Sequence, residues 1–226
     1  MLARRLDEVR KRIEVAAARF GRDAYDITLL AVTKKFPAAL ISEAYDLGVR
    51  DFGENYVQEF EGKYAKVAGL TDARFHLIGH LQSNKARRAS EMFHVIQTVD
   101  SAKLARRLDS EGRQLDVMLE VKLSPEESKA GADPETLDEL VVAVRACNNL
   151  KLTGLMTMPP WTDEAEPSRP YFAALRRLGE RYSLKQLSMG MSHDFEVAIE
   201  EGSTCVRVGT ALFGPRPKPN LPESPP

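Results

Sequence analysis

Eight short apolar runs recur along this chain, at 27–33, 49–53, 75–79, 95–99, 116–121, 152–158, 186–189 and 205–208. Between them lie segments with helical spacing of apolar residues, including 38–47, 102–111, 134–147, 164–181 and 194–201. Strands that alternate with helices predict a parallel sheet, because each helix carries the chain back across the sheet face. Eight is also the number that closes such a sheet on itself. The expected fold is therefore α/β: a single-domain TIM-type (β/α)8 barrel. An open doubly wound sheet is the alternative, but the first strand is not followed by the glycine-rich GxGxxG turn common in that fold. Ahead of the first strand, Leu2, Leu6, Val9, Ile13 and Ala17 recur at three- and four-residue steps up to Gly21, which predicts an extra N-terminal amphipathic helix. The barrel is expected over 1–214. The proline-rich end, 215–226, suits neither helix nor a paired strand and is expected to be disordered.

At 226 residues the length suits one barrel, and 32 basic residues against 33 acidic ones leave a formal net charge of −1. That balance gives no bulk attraction to nucleic acid or to an anionic membrane. Cys147 and Cys205 stand far apart without a CxxC partner, as small core residues of a reducing compartment do. No apolar run approaches the ~20 residues that span a bilayer, and the charged N-terminus does not read as a signal peptide. A cytoplasmic protein is expected.

Two of the runs end in small residues. Leu187-Ser188-Met189-Gly190-Met191-Ser192 leads straight into a helical pattern, and Val206-Arg207-Val208-Gly209-Thr210 follows closely. Small residues let backbone N–H groups converge, and a helix start adds partial positive charge, so such loops cradle phosphates. In a (β/α)8 barrel a phosphate site commonly lies after strands seven and eight. The first strand ends in Lys34 and Lys35. Side chains alternate along a strand, so one lysine should face the mouth and the other should point away. Closure sets the first strand beside the eighth, and hence the mouth-facing lysine beside the cradle. A lysine at a phosphate site acts either as a point charge or as an amine that condenses with an aldehyde, as with pyridoxal phosphate. The residues alone leave both readings open.

Six stretches carry a family resemblance from the first strand to the last. They are Ala31-Val32-Thr33-Lys34, Phe52-Gly53-Glu54-Asn55-Tyr56-Val57-Gln58-Glu59, residues 76–85, Gly154-Leu155-Met156-Thr157-Met158, residues 187–192 and residues 206–214. Together they resemble the pyridoxal phosphate homeostasis proteins, which are related to the barrel domain of alanine racemase. The resemblance implies pyridoxal 5′-phosphate as cofactor, carried as a Schiff base on Lys34, with Lys35 its outward neighbour. It implies that Ser192, Thr210 and the backbone around Met191, Ser192, Gly209 and Thr210 hold the phosphate. It further implies that Arg207 approaches the pyridine nitrogen and that Asn55 and Met156 line the ring. A cationic partner keeps that nitrogen unprotonated and weakens the cofactor as an electron sink. The implied function is vitamin B6 homeostasis, holding the reactive aldehyde and buffering or delivering it, with PLP-dependent apo-enzymes as possible recipients and little or no turnover.

The rival reading is a PLP-dependent amino-acid racemase. Racemisation needs acid–base groups on both faces of the cofactor. In alanine racemases the second is a tyrosine from a further domain of the partner subunit. This chain is expected to lack that domain, and none of its tyrosines falls at a predicted strand end, Tyr56 coming nearest. A monomer is expected on the same grounds. A third reading is a barrel that binds another phosphate ester without forming an imine.

Other constellations are weaker. His76 and His80 flank a strand, where four residues span about 13 Å, too far for one metal. Glu54 is expected at the mouth, within reach of a lysine or arginine. His193 suits either a phosphate contact or the surface. The basic run 85–88 lacks interleaved aromatic residues and reads as a solvated helix face, not a nucleic-acid contact. The loop 124–131 is expected over the mouth as a connection.

Overall fold

The structure is a computed structural model, and it describes residues 1–124, 126 and 130–215. The predicted tail from 216 onward, and residues 125 and 127–129 of the 124–131 loop, lie outside the described residues.

Eight parallel strands close into a barrel in chain order: β1 (Thr28–Val32), β2 (Asp51–Glu54), β3 (Arg74–Leu77), β4 (Val95–Val99), β5 (Leu115–Glu120), β6 (Leu150–Met156), β7 (Gln186–Met191) and β8 (Cys205–Val208). Closure is made by β1 on β8, with Leu30 opposite Arg207 and Ala31 opposite Val208. The helices are α1 (Leu2–Arg19), α2 (Ala38–Asp46), α3 (Val57–Val67), α4 (Ala86–Met92), α5 (Ala102–Asp109), α6 (Leu137–Arg145), α7 (Arg169–Tyr182), α8 (Phe195–Glu200) and α9 (Thr210–Phe213). β7 runs two residues further than the apolar pattern suggests, because Gly190 stays in the strand with a positive φ of 92°.

Local chemistry explains the helix limits. Ser101 caps α5 by accepting the Leu104 N–H, satisfying a donor the helix cannot. Ser183 ends α7 in the left-handed region, φ 56°. α1 buries Leu2, Leu6, Val9, Ile13, Ala16 and Ala17, the stripe its periodicity predicts, and packs along α8 and α9. Arg12 stacks over the Phe195 ring at 4.4 Å and pairs with Glu196 at 2.6 Å.

The barrel has two apolar layers. The larger lies between strands and helices and includes Ala31, Phe52, Phe75, Leu77, Ile96, Leu119, Leu155 and Val206. A small inner cluster of Leu30, Val32, Ile78 and Cys205 packs inside. Strand residues of opposite parity face opposite layers. That rule puts Asp51, His76, Gln97, Ser188 and Arg207 inside with the smaller cluster. All but Asp51 are buried. The interior of this barrel is partly polar.

Candidate functional site

Lys34 reaches the mouth through a turn. β1 stops at Val32, and the Phe36 N–H donates to the Thr33 carbonyl at 3.1 Å. Lys35 holds a left-handed φ of 65°. The two lysines thus lie beyond the last paired residue, and the turn, instead of strand alternation, parts them: Lys34 lines a cavity while Lys35 is exposed. The turn is anchored from α3. Lys63 Nζ donates to the Thr33 carbonyl at 3.0 Å, to Glu54 Oε1 at 2.9 Å and to Glu59 Oε1 at 2.7 Å. The Thr33 hydroxyl donates to Glu54 Oε1 at 2.8 Å, and the Lys35 N–H donates to Glu59. Glu54 is therefore committed to a buried ion pair under the turn. Burial pushes its carboxyl above the usual range, against the pull of Lys63.

The neighbouring wall comes from the ends of β7 and β8. A Cβ on Gly190 would stand 2.5 Å from Ala198 Cβ and 2.9 Å from Phe195 Cα, so only glycine lets α8 start so close to its strand. Asp194 accepts the Met191 N–H at 2.6 Å and shapes the loop. Ser192 Oγ accepts N–H bonds from Gly209 at 3.2 Å and Ala211 at 3.4 Å, which ties the two small-residue loops together. A Cβ on Gly209 would meet nothing nearer than Val32 at 3.5 Å. The bare backbone there is not demanded by protein packing and leaves room for a ligand to approach the loop. Arg207, buried, donates from Nη1 to Ser188 Oγ and from Nη2 to the Thr157 carbonyl, both at 2.8 Å. Burial lowers its pKa from the usual arginine range.

These elements enclose a cavity of about 680 Å³, within the range of small-molecule sites. Of the residues read from the sequence, Lys34, Asn55, Met191, Ser192, Arg207, Gly209 and Thr210 stand on its wall. Met156 does not. It ends β6 fully buried, with Leu155 in the outer core, and Met158 takes the wall position. The two methionines share parity, and Met158 lies about 7 Å nearer the mouth at the strand rise. Met156 therefore lies one layer below the wall.

Val32, Ile78 and Trp161 also line the cavity and were not anticipated. His193 faces it as well, packed on Trp161 with ring centroids 4.0 Å apart and the planes tilted by 47°. Its Nε2 is buried without a hydrogen-bond partner, as is Asn55 Oδ1 on the same wall. Beyond Met158, Trp161 and Met191 lies a second cavity of about 410 Å³, lined by Glu120 and Ser124 among others. Glu120 is 2% exposed, and burial raises its pKa to about 7, with Asp100 adding to the shift and Arg207 opposing it. His76 and His80 engage different carboxylates, Asp51 and Asp100.

The donor set on the main wall is an amine, a guanidinium, two hydroxyls and backbone N–H groups. It suits an anionic ligand, toward which the amine can serve as a charge or as a nucleophile. The chain matches the family model for the alanine racemase N-terminal domain over residues 5–217. It is 47% identical over 222 residues to the pyridoxal phosphate homeostasis protein of Pseudomonas aeruginosa, covering 95% of this chain and 96% of that one. It is 43% identical over 226 residues to the protein of that name in Escherichia coli K12, covering 95% and 97%. The structure of PipY from Synechococcus elongatus with PLP bound matches at a TM-score of 0.83 with 40% identity, over 95% of this chain and 100% of that one. An alanine racemase of Clostridium difficile matches at a TM-score of 0.70 with 15% identity, over 98% of this chain and 58% of that one, which speaks for a shared barrel fold.

Fold and cavity thus define the class: a closed β/α barrel of the alanine racemase N-terminal type with a lysine beside a small-residue cradle at its mouth. Within that class the chain belongs to the pyridoxal phosphate homeostasis protein family.

Proposed function

We propose that this chain holds pyridoxal 5′-phosphate reversibly on Lys34 and serves to buffer or deliver it. One observation carries the reading: Lys34 and Arg207 share a single cavity with Ser192, Gly209 and Thr210, residues from the two ends of the barrel sequence. The relatives named for this homeostasis, and the PLP-bound PipY, support it.

When bound, the cofactor supplies an aldehyde that condenses with the Lys34 amine, releasing water and forming a Schiff base. The chain's residues do the rest. Ser192, Thr210 and the backbone N–H groups around Met191, Ser192, Gly209 and Thr210 bind the phosphate. Asn55 lines the ring, its unpartnered Oδ1 open to a donor. Arg207, charged and held in place, sits toward the pyridine nitrogen and keeps a proton off it. A site so arranged retains the cofactor without strengthening it for carbanion chemistry, which favours storage over turnover.

A racemase would need a second acid–base group facing Lys34. Tyr56, adjoining Asn55, is 55% exposed and is not on the cavity wall. The wider reading has the barrel, 1–214, acting as a cytoplasmic monomer that serves PLP-dependent apo-enzymes. Among the described residues no helix is long and apolar enough to cross a membrane. The deciding experiment is borohydride reduction followed by peptide mass spectrometry. A pyridoxyl group on Lys34 is expected, and its appearance on any other lysine instead would sink the assignment.

A further inference from the structure

Arg207 is buried, and no carboxylate among the described residues lies within ion-pair distance of it. Glu120 and Asp194 act on it only from further away. A buried cation without a countercharge is costly. Four hydrogen bonds lead from it across the barrel interior to one. Arg207 Nη1 donates to Ser188 Oγ at 2.8 Å, and Ser188 Oγ donates to Gln97 Oε1 at 2.7 Å. Gln97 Nε2 meets His76 Nδ1 at 3.0 Å, and His76 Nε2 meets Asp51 Oδ1 at 2.8 Å.

The direction of this chain follows from elementary chemistry. A guanidinium only donates, so Ser188 must accept from it and pass its own proton to an acceptor, the Gln97 carbonyl oxygen. The other end of that amide is then a donor, which makes His76 Nδ1 an acceptor and leaves the imidazole proton on Nε2, aimed at Asp51. Every donor points from the mouth toward the floor. Aligned bonds of this kind polarise one another in a low-dielectric interior. Ser188 and Gln97 are fully buried and His76 is 4% exposed. None of these four partners lines the Lys34 cavity.

We propose that Asp51, His76, Gln97 and Ser188 are positioning residues for Arg207, a directional relay that orients its guanidinium and brings it the countercharge of Asp51. The role assigned to Arg207 rests on the pyridoxal phosphate reading; the relay does not. With Nη1 on Ser188 and Nη2 on the Thr157 carbonyl, the guanidinium plane is set before any ligand arrives. Charged neighbours of His76 are Asp51, Arg74 and Asp116, with His94 also near.

The test has two arms. In the cofactor-free protein, ¹⁵N NMR of histidine at pH 7 should show His76 neutral, with its proton on Nε2. Gln97→Glu replaces the amide donor by an acceptor and should place a second proton on Nδ1. A wild-type His76 protonated on Nδ1, or a His76 spectrum unmoved by Gln97→Glu, overturns the relay. In the second arm pyridoxal phosphate is titrated into Gln97→Leu, Ser188→Ala and Asp51→Asn. Binding should weaken about tenfold, as expected for a lost bond to a charged group. The pH midpoint of the bound cofactor's visible band should move in the direction it moves in Arg207→Lys. Wild-type affinity and spectrum, with only the melting temperature lowered, would mark these residues as merely structural and overturn the positioning role. The expected His76 pattern in a wild-type protein that takes up no pyridoxal phosphate would uphold the relay and refute the function.

Discussion

The hydroxyl of Ser192, on the loop after β7, accepts the backbone N–H of Gly209, on the loop after β8, at 3.2 Å. A second bond from the Ala211 N–H at 3.4 Å completes the join. The cradle is thus assembled between two strands' ends before a ligand enters, which lowers the ordering cost of binding. Ser192→Ala should weaken pyridoxal phosphate binding by roughly 1–3 kcal/mol, the range for leaving buried polar groups unpaired. Fluorescence titration of the apo-protein measures this directly.

Lys34 and Lys35 make a paired control. Lys34→Ala should abolish the yellow band that borohydride removes, whereas Lys35→Ala, whose side chain is exposed, should keep it. A yellow Lys34→Ala protein with an unshifted spectrum would refute the covalent assignment.

Glu120 sets a pH dependence of stability. Its folded pKa, about 7, lies above the ordinary value of 4.5, so the folded state binds the proton more tightly than the unfolded chain. Stability from this group is complete below about pH 4.5 and is lost as pH rises through 7. Glu120→Gln should therefore stabilise the protein at pH 8 by on the order of 3 kcal/mol, and by little at pH 4 to 5. Urea unfolding of both proteins at the two pH values should show this difference; an equal gain at both would contradict it.

The lysine turn depends on Lys63. Lys63→Met removes the partner of Glu54, which is fully buried, and should cost roughly 3–5 kcal/mol. Adding Glu54→Gln should recover part of that loss, since it removes the unpaired charge. Denaturant midpoints of the single and double variants test the coupling.

If storage is the function, the loaded protein should not exchange the α-proton of alanine in deuterated water at an enzymatic rate. Proton NMR over hours decides it, and rapid exchange would restore the racemase reading.

Much of the barrel was legible because its physics is local. Strand parity, the stripe on α1 and the small residues at 190 and 209 follow from side-chain chemistry and spacing alone. The neighbourhood of Lys34 and Gly209 also followed, once eight strands implied closure. Met156, named through the resemblance, lies buried below the cavity wall, because a motif gives a residue's place in the chain but not the depth of its layer. Glu54 pairs with a lysine, as its place at the mouth allows, but that the partner is Lys63 had no signal in the pattern of its helix. The interior polar chain had a trace in the sequence, since Asp51, His76, Gln97, Ser188 and Arg207 share inward parity, but five separate strands had to come into register to join it.

By itself, then, the order of residues determined the elements, their number and which faces they bury, because periodicity and backbone preference act over a few residues. Only the closed tertiary structure decided which turn aims Lys34 inward, which carboxylate is spent on an ion pair and how Arg207 finds its countercharge. Those outcomes depend on distances between side chains far apart along the chain, and such distances exist only once the barrel has closed.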